Sequence, residues 1–156
     1  MPTIHLGVVD LPYGHTENIG KVKKGKNAGK PYASTTGDVA EILEEKYGVM
    51  EAFWTLHEQE ILDAFSESIV GEMDSILEGK PYSFRAFASG EDEVVNLFDK
   101  FLSNKEMDRV GRGDIPTEAA KRGVSHRFKH PYARRASRPS FIDTGLYEYS
   151  FFCWVD

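Results

Sequence analysis

The 156-residue chain contains a single cysteine and no long hydrophobic run. One thiol, Cys153, cannot form a disulfide within the chain, which favours a reduced, intracellular place of folding. Because no stretch of about 18 apolar residues occurs, we expect no membrane-spanning helix and no membrane partner. Residues 1–10 lack a basic region followed by an apolar core, so we expect no signal peptide either.

Two long stretches of the chain carry charge almost entirely of one sign, the first acidic and the second basic. Residues 38–78 hold twelve acids and one base, Lys46, whereas residues 121–138 hold seven bases and no acid. A formal net charge of -6 hides this separation, which predicts contacts with other charged surfaces, including copies of the chain itself. The hydrophobic share of 40% indicates a globular chain, and the length suits one domain over residues 1–156.

A long amphipathic helix is predicted over residues 38–78, because apolar residues recur there at steps of three and four. Thr35 or Thr36 would cap its start, Gly48 would break or kink it, and Gly79 would end it. The acids between the apolar positions would form a solvated face. The predicted apolar stripe, expected to pack against the rest of the chain, comprises Val39, Ile42, Leu43, Met50, Phe53, Leu56, Phe65, Ile69, Met73, Ile76 and Leu77.

Strands are predicted near residues 3–10, 82–88 and 145–155, where apolar residues alternate or run together, with irregular structure as the alternative for residues 82–88. The last of these is apolar on both faces, so we expect the long helix to cover one face and a neighbouring subunit the other. The predicted fold class is therefore α+β: a small, mostly antiparallel sheet packed on a long amphipathic helix, with extended arms.

Two shorter helical elements are also predicted. Residues 89–92 resemble a helix cap, and the apolar spacing that follows predicts a second helix ending near Asn104. Residues 116–121 predict a single helical turn with Pro116 in its first position.

Two segments lack any period and are predicted as extensions: a Gly/Lys-rich loop or arm at residues 11–35 and a basic extended segment at residues 121–139. The first is either a solvated loop or an arm that reaches a neighbour. Residues 25–30 resemble a phosphate-binding loop, but Pro31 stands where a Ser or Thr would hold magnesium. We therefore predict no nucleotide and no cofactor there.

His126 and His130 are the strongest candidate metal ligands, since a spacing of four places two imidazoles on one helix face. Pro131 disfavours helix at the preceding residue, and the charges of Arg127 and Lys129 oppose a bound cation. We predict no metal site and no catalytic residue, because the single thiol lies among aromatics and is expected in the core. A small metal-dependent hydrolase is the rival interpretation.

The basic segment mixes cations with aromatic residues, a composition that can bind nucleic acid or an acidic protein surface. We favour protein contact, and a nucleic-acid-binding accessory protein is the alternative. The predicted interface residues are Arg122, His126, Arg127, Lys129, His130, Arg134, Arg135 and Arg138, together with Lys23, Lys24 and Lys26.

The C-terminal sequence RPSFIDTGLY at residues 138–147, followed by Ser150-Phe151 and Trp154-Val155, resembles the closing motif of small structural proteins of tailed bacteriophages. These are the neck, tail-completion, head-tail joining and virion-morphogenesis proteins. Residues 117–123 and the segment around His126 fit the same resemblance.

The resemblance implies a non-enzymatic virion protein, made in the host cytoplasm, that forms a collar, tail-completion or head-tail connector ring in the phage neck. Six-fold rings are favoured and twelve-fold rings are possible. Such a ring joins the capsid portal to the tail, contacts adjacent neck and tail proteins, and lines the passage through which genomic DNA moves. An interface that joins the acidic helix face of one copy to the basic segment of the next would form a closed ring when the rotation per copy divides a full circle.

Overall fold

The computed structural model describes residues 3–13, 35–81, 83, 85–110, 114–124, 136–142 and 145–156. Two β-strands and five α-helices follow one another along these residues, with one short 3₁₀ helix after the third α-helix. They are β1 (Ile4–Val8), α1 (Thr36–Tyr47), α2 (Val49–Leu77), α3 (Ala88–Ser103), the 3₁₀ helix (Met107–Arg109), α4 (Glu118–Arg122), α5 (Leu146–Ser150) and β2 (Phe151–Val155).

A two-stranded antiparallel sheet packs against the long helices, which confirms the predicted α+β class. Strand β1 pairs with β2 so that Leu6 faces Cys153 and Val8 faces Phe151. Along β2 every second residue is buried, which places Phe151 and Cys153 in the core. No helix in the described ranges has the length and apolarity needed to cross a membrane.

The predicted long helix is confirmed as two helices joined at Gly48, whose φ of 60° lies in the left-handed region. Thr35 caps α1: its side chain accepts from the backbone N–H of Asp38, and the Asp38 carboxylate accepts from the backbone N–H of Thr35. Helix α2 ends as predicted at Gly79, which has a φ of 82°. The backbone N–H of Gly79 donates to the carbonyl of Ile76, 2.9 Å away, satisfying an acceptor that the helix end leaves unpaired.

The strand predicted over residues 82–88 is wrong. Residues 85–87 form a turn, and Ala88 already begins α3. The backbone N–H of Ser83 donates to a Glu72 carboxylate oxygen at 2.6 Å, and that of Arg85 donates to the Ser83 hydroxyl at 3.1 Å. Because side chains satisfy these two donors, neither needs a neighbouring strand.

The strand predicted over residues 145–155 is half wrong, because Leu146–Ser150 is the helical turn α5 and only Phe151–Val155 is a strand. Tyr147 and Ser150 are three residues apart and both buried, whereas Tyr149 is 82% exposed. An alternating aromatic pattern suggested strand, but this spacing of buried residues is helical.

The cap predicted at residues 89–92 is also wrong, since α3 begins at Ala88 without a side-chain cap. Its end at Ser103 confirms the predicted end near Asn104. The turn predicted at residues 116–121 is present as α4, two residues later, with Thr117 rather than proline at its start. The Thr117 hydroxyl accepts from the backbone N–H of Ala120 at 3.2 Å.

Stacked and edge-on phenylalanines form the core where α2, α3 and β2 meet. The rings of Phe98 and Phe151 stack with centroids 3.9 Å apart, and Phe53 meets Phe98 edge-on at 5.1 Å. Phe101 lies 5.4 Å from Phe53, and all four rings are buried. Full burial of such a side chain contributes about 1.5–3 kcal/mol, so this cluster holds the sheet onto the helices.

Candidate functional site

Arg138, one of the predicted interface residues, donates hydrogen bonds to carbonyl groups of other residues in the chain. We call this set of bonds the clasp. Its guanidinium Nη1 donates to the carbonyl of Ile142 at 2.7 Å, and Nη2 donates to that of Val124 at 3.3 Å. Its backbone N–H donates to the carbonyl of Ala120 at 3.1 Å. The chain therefore leaves this clasp at Val124 and is held again at Arg138. Sequence reasoning missed this role because carbonyl acceptors have no sequence signature.

Arg122, in contrast, has a 73% exposed side chain at the end of α4. Its Nε lies 3.7 Å from Oε2 of Glu118, an exposed pair that leaves the guanidinium open to other partners. The remaining predicted interface residues lie outside the described residues. They are Lys23, Lys24, Lys26, His126, Arg127, Lys129, His130, Arg134 and Arg135.

The segment that carries Lys23, Lys24 and Lys26 is likewise tied at both ends. Thr36 is fully buried; its hydroxyl donates to the carbonyl of Val9 at 2.5 Å and accepts from the backbone N–H of Leu11 at 2.8 Å. Pro12 and Thr35 pair as a single antiparallel bridge. Both base-rich segments predicted from the sequence thus depart from and return to fixed points on the body.

An acidic groove of about 400 Å³ runs between α2 and α3. Its carboxylates come from Glu60, Asp63 and Glu67 of α2 and from Glu93 of α3. A concave surface lined by one sign of charge concentrates the electrostatic field and favours a cationic occupant.

The groove is supported by hydrogen bonds at its base. The buried hydroxyl of Ser68 lies 2.7 Å from the Ser89 hydroxyl and donates to the carbonyl of Ala86 at 2.7 Å. Beside it Gly90 lets α3 approach α2, since an added Cβ would meet the backbone carbonyl of Ala64 at 3.1 Å. The spacing of the acidic side chains is therefore set by a rigid helix pair.

His57 fixes one end of the groove. Its Nδ1 contacts Oε2 of Glu60, and its Nε2 lies 2.9 Å from Oε2 of Glu106. The ring packs against Phe53 and Phe101, and its side chain is 11% exposed.

The outer side of α2 carries apolar residues that the sequence placed in a single core-facing stripe. Of the predicted stripe, Phe53 and Phe65 are buried, but several members on α2 are not. Leu56, Ile69, Met73, Ile76 and Leu77 are 52%, 43%, 58%, 45% and 83% exposed, and Leu62 and Val70 beside them are 42% and 56% exposed. Helix α2 therefore has two apolar faces, and one of them is unpartnered in the described structure.

The outer face of the sheet bears three stacked rings. Trp154 stacks on His5 with centroids 4.9 Å apart and on Phe152 with centroids 4.6 Å apart. Gly7 makes room for this stack, because an added Cβ would lie 3.1 Å from the indole ring. Phe152 and Trp154 are each 36% exposed, so this face is only partly covered within the described chain.

Three ionisable groups in α5 and β2, Tyr147, Glu148 and Cys153, have raised pKa values, and burial is the main cause for each. Burial, followed by the charge of Glu91, raises the pKa of the Cys153 thiol to about 12. This confirms the prediction that the thiol packs in the core, where it is inert. Burial, followed by a hydrogen bond and charge repulsion from Asp99, raises the pKa of Glu148 to about 7, opposed by a hydrogen bond from Ser103.

Among the described residues, no group of three or more His, Cys, Asp or Glu side chains is arranged to hold a metal ion. The predicted pair His126 and His130 lies outside them. No protein-family model, curated protein or solved structure matches the chain.

Proposed function

We propose that the protein is a structural component of a bacteriophage virion that assembles into a ring in the neck, between the capsid portal and the tail. It acts through contacts and not through catalysis. Copies of the chain are its first partners, with six per ring favoured over twelve, and adjacent connector and tail proteins are its second. Genomic DNA passes through the lumen and contacts it transiently.

The observation that carries this proposal is the acidic groove between α2 and α3 on a chain whose bases are gathered elsewhere. Glu60, Asp63, Glu67 and Glu93 line the groove. The segment bearing Arg134 and its neighbours departs from a clasp beside α4. Complementary charge on two different patches of one chain supports head-to-tail contact between copies.

A contact between two different patches repeats until it closes, and it forms a ring when the rotation per copy divides a full circle. Exposed ion pairs contribute about 0.2–1 kcal/mol each, so they choose the partner and the register more than they supply affinity. The resemblance of residues 138–147 to phage neck and tail-completion proteins supports placing such a ring in the virion neck.

The test uses two charge-reversed variants, one for each side of the contact. Asp63→Lys with Glu67→Lys changes the groove, and Arg134→Glu with Arg135→Glu changes the basic segment. Wild-type protein is expected to form discrete rings by native mass spectrometry, and neither variant alone should do so. Because both patches are charge-reversed, a mixture of the two variants brings opposite charges together at every contact and should form rings in which the variants alternate.

The matched control is Glu41→Lys with Glu45→Lys, which reverses two exposed acids four residues apart on α1, away from the groove. It should assemble as the wild type does. Ring formation by the groove variant would contradict the proposal. Wild-type protein that stays monomeric, yet binds duplex DNA with an affinity that falls steeply as salt rises, would instead support a nucleic-acid-binding accessory protein.

A further inference from the structure

The unpartnered face of α2 forms a continuous apolar strip, which we call the outer stripe. It consists of Leu62, Ile69, Val70, Met73, Ile76 and Leu77. Each member is between 42% and 83% exposed. Isolated exposed apolar residues are ordinary, but a contiguous set on one helix face marks a surface that another molecule covers.

The spacing of the outer stripe indicates that its occupant is a helix. Positions 62, 66, 69, 73 and 76 follow one another at alternating steps of four and three, and all except Ser66 are apolar. This is the 3.5-residue repeat by which two helices interlock their side chains. Val70 and Leu77 widen the outer stripe on one side. At 1.5 Å per residue the stripe is roughly 20 Å long, about two heptads.

The charges beside the outer stripe restrict the occupant further. Asp63, Glu67 and Asp74 follow one flank of the stripe, Glu58 and Glu72 follow the other, and α2 contains no Lys or Arg. An anionic lipid surface or a nucleic acid would be repelled. A second copy of α2 in parallel register would bring each acid against its own equivalent, which is also unfavourable.

An antiparallel arrangement of two copies avoids this repulsion. Lys80 lies just past the end of α2, where the outer stripe ends, and its side chain is 63% exposed. With the helices antiparallel, that end lies beside Leu62 and Asp63 of the second copy. The ammonium group of Lys80 lies 2.8 Å from Oε2 of its own Glu78. This exposed pair holds it only weakly, so it can bond across the seam.

We infer that the outer stripe docks against the outer stripe of a second copy, with the two helices antiparallel and a two-fold axis close to Val70. The contact is isologous and closes at two copies. None of the apolar members of the outer stripe lines the acidic groove, although Asp63 and Glu67 border both surfaces, and the contact does not depend on a role in the virion. In a ring-forming protein, it would join two rings or two neighbouring copies across a dyad.

Substitution tests the docking directly. Met73→Glu places a charge in the centre of the stripe and is expected to weaken the dimer at least about tenfold in sedimentation equilibrium, equivalent to about 1.4 kcal/mol. Asn96→Glu adds the same charge at an exposed position of α3 and should leave the dimer unchanged. Equal effects of the two variants, or wild-type protein that remains monomeric at its highest soluble concentration, would overturn the inference.

Cysteine pairing tests the direction of the helices. Cys153 is buried and is the only native cysteine, so it does not interfere. A mixture of Leu62→Cys and Leu77→Cys proteins should form a mixed disulfide under mild oxidation. Leu62→Cys alone should not, because antiparallel copies place the two thiols roughly 25 Å apart. Efficient cross-linking of Leu62→Cys to itself would show a parallel pair and refute the antiparallel arrangement.

Discussion

Nε2 of His57 lies 2.9 Å from Oε2 of Glu106, and this contact ties α2 to the segment that follows α3. On its other side the same ring meets Glu60. The two carboxylates come from positions three and 49 residues away, so the imidazole links a local contact with a distant one. The side chain of His57 is 11% exposed; its contact with Glu106 is partly buried, whereas its contact with Glu60 is exposed to water.

Replacing His57 is expected to destabilise the fold. His57→Leu removes both ring nitrogens and leaves the Glu60 and Glu106 carboxyl groups without these contacts, so the free energy of unfolding should fall by about 1–3 kcal/mol. Urea denaturation followed by circular dichroism measures the change. Thr55→Leu, at an exposed position on the same helix, is the control and should change stability by less than about 0.5 kcal/mol. Equal effects would show that the contacts contribute nothing.

Glu148 should make stability depend on pH. Its folded-state pKa of about 7 lies above the ordinary value of 4.5 for a glutamate, so the folded chain holds the proton more tightly than the unfolded chain. The resulting contribution to stability is fully present below a pH of about 4.5 and is lost as the pH rises through about 7. Glu148→Gln keeps the hydrogen-bonding shape without ionising.

The Glu148→Gln protein should therefore melt at a higher temperature than the wild type at a pH of about 8, and at the same temperature at a pH of about 4.5. Asp99→Asn removes the second cause of the raised pKa and should also stabilise the protein at the higher pH. Calorimetry at the two pH values measures both. A melting difference that does not vary with pH would contradict the assignment.

Adding a single methyl group at Gly90 is expected to destabilise the fold. An added Cβ would lie 2.9 Å from Cδ1 of Phe65 and 3.1 Å from the carbonyl oxygen of Ala64, so α2 and α3 must separate to admit it. Gly90→Ala should lower the free energy of unfolding by about 1–3 kcal/mol despite the better helix propensity of alanine.

Gly71 is the matched control, because an added Cβ there has no neighbour within 4 Å and the residue lies within α2. Gly71→Ala should stabilise the protein by about 0.5–1 kcal/mol through helix propensity alone. Chemical denaturation of both variants separates the two effects. The same sign for both changes would show that the close approach at Gly90 is not limiting.

Arg138 and Arg122 should behave differently although both bases belong to one segment. Arg138→Ala removes the bonds to the carbonyls of Val124 and Ile142 and should lower the melting temperature of the monomer. Arg122→Ala removes one exposed ion pair and should leave the melting temperature nearly unchanged. Thermal unfolding at low protein concentration, where no assembly forms, measures both variants. Equal melting temperatures would assign Arg138 to a surface role.

The start, the break and the end of the α1–α2 helix pair could be predicted from the residues at those positions alone. The capping box of Thr35 and Asp38, the left-handed Gly48 and the helix end at Gly79 each depend on atoms within a few residues. Such signals do not need the rest of the fold, and the predicted cap at Thr35 or Thr36, break at Gly48 and stop at Gly79 were correct. The antiparallel α+β class was also readable, because an alternating strand at each end of a chain with helices between them has few ways to pack.

Other features were decided only when distant segments met. The spacing of apolar residues on α2 is helical on both of its faces, and the contact with α3 selects which face is buried. Residues 146–150 alternate like a strand, but burial of Tyr147 and Ser150 against the rest of the chain makes them a helical turn. The sequence alone predicts Arg138 to be a surface cation, and only the structure identifies the carbonyl groups to which it donates.

The sequence by itself therefore determined where the α1–α2 pair begins, breaks and ends and how charge is divided along the chain, since both depend on neighbouring residues. Tertiary structure decided which apolar face stays outside, which arginine becomes a clasp and which acids share a groove. Those outcomes depend on contacts between residues far apart in the chain, whose free energies exist only after the segments have packed.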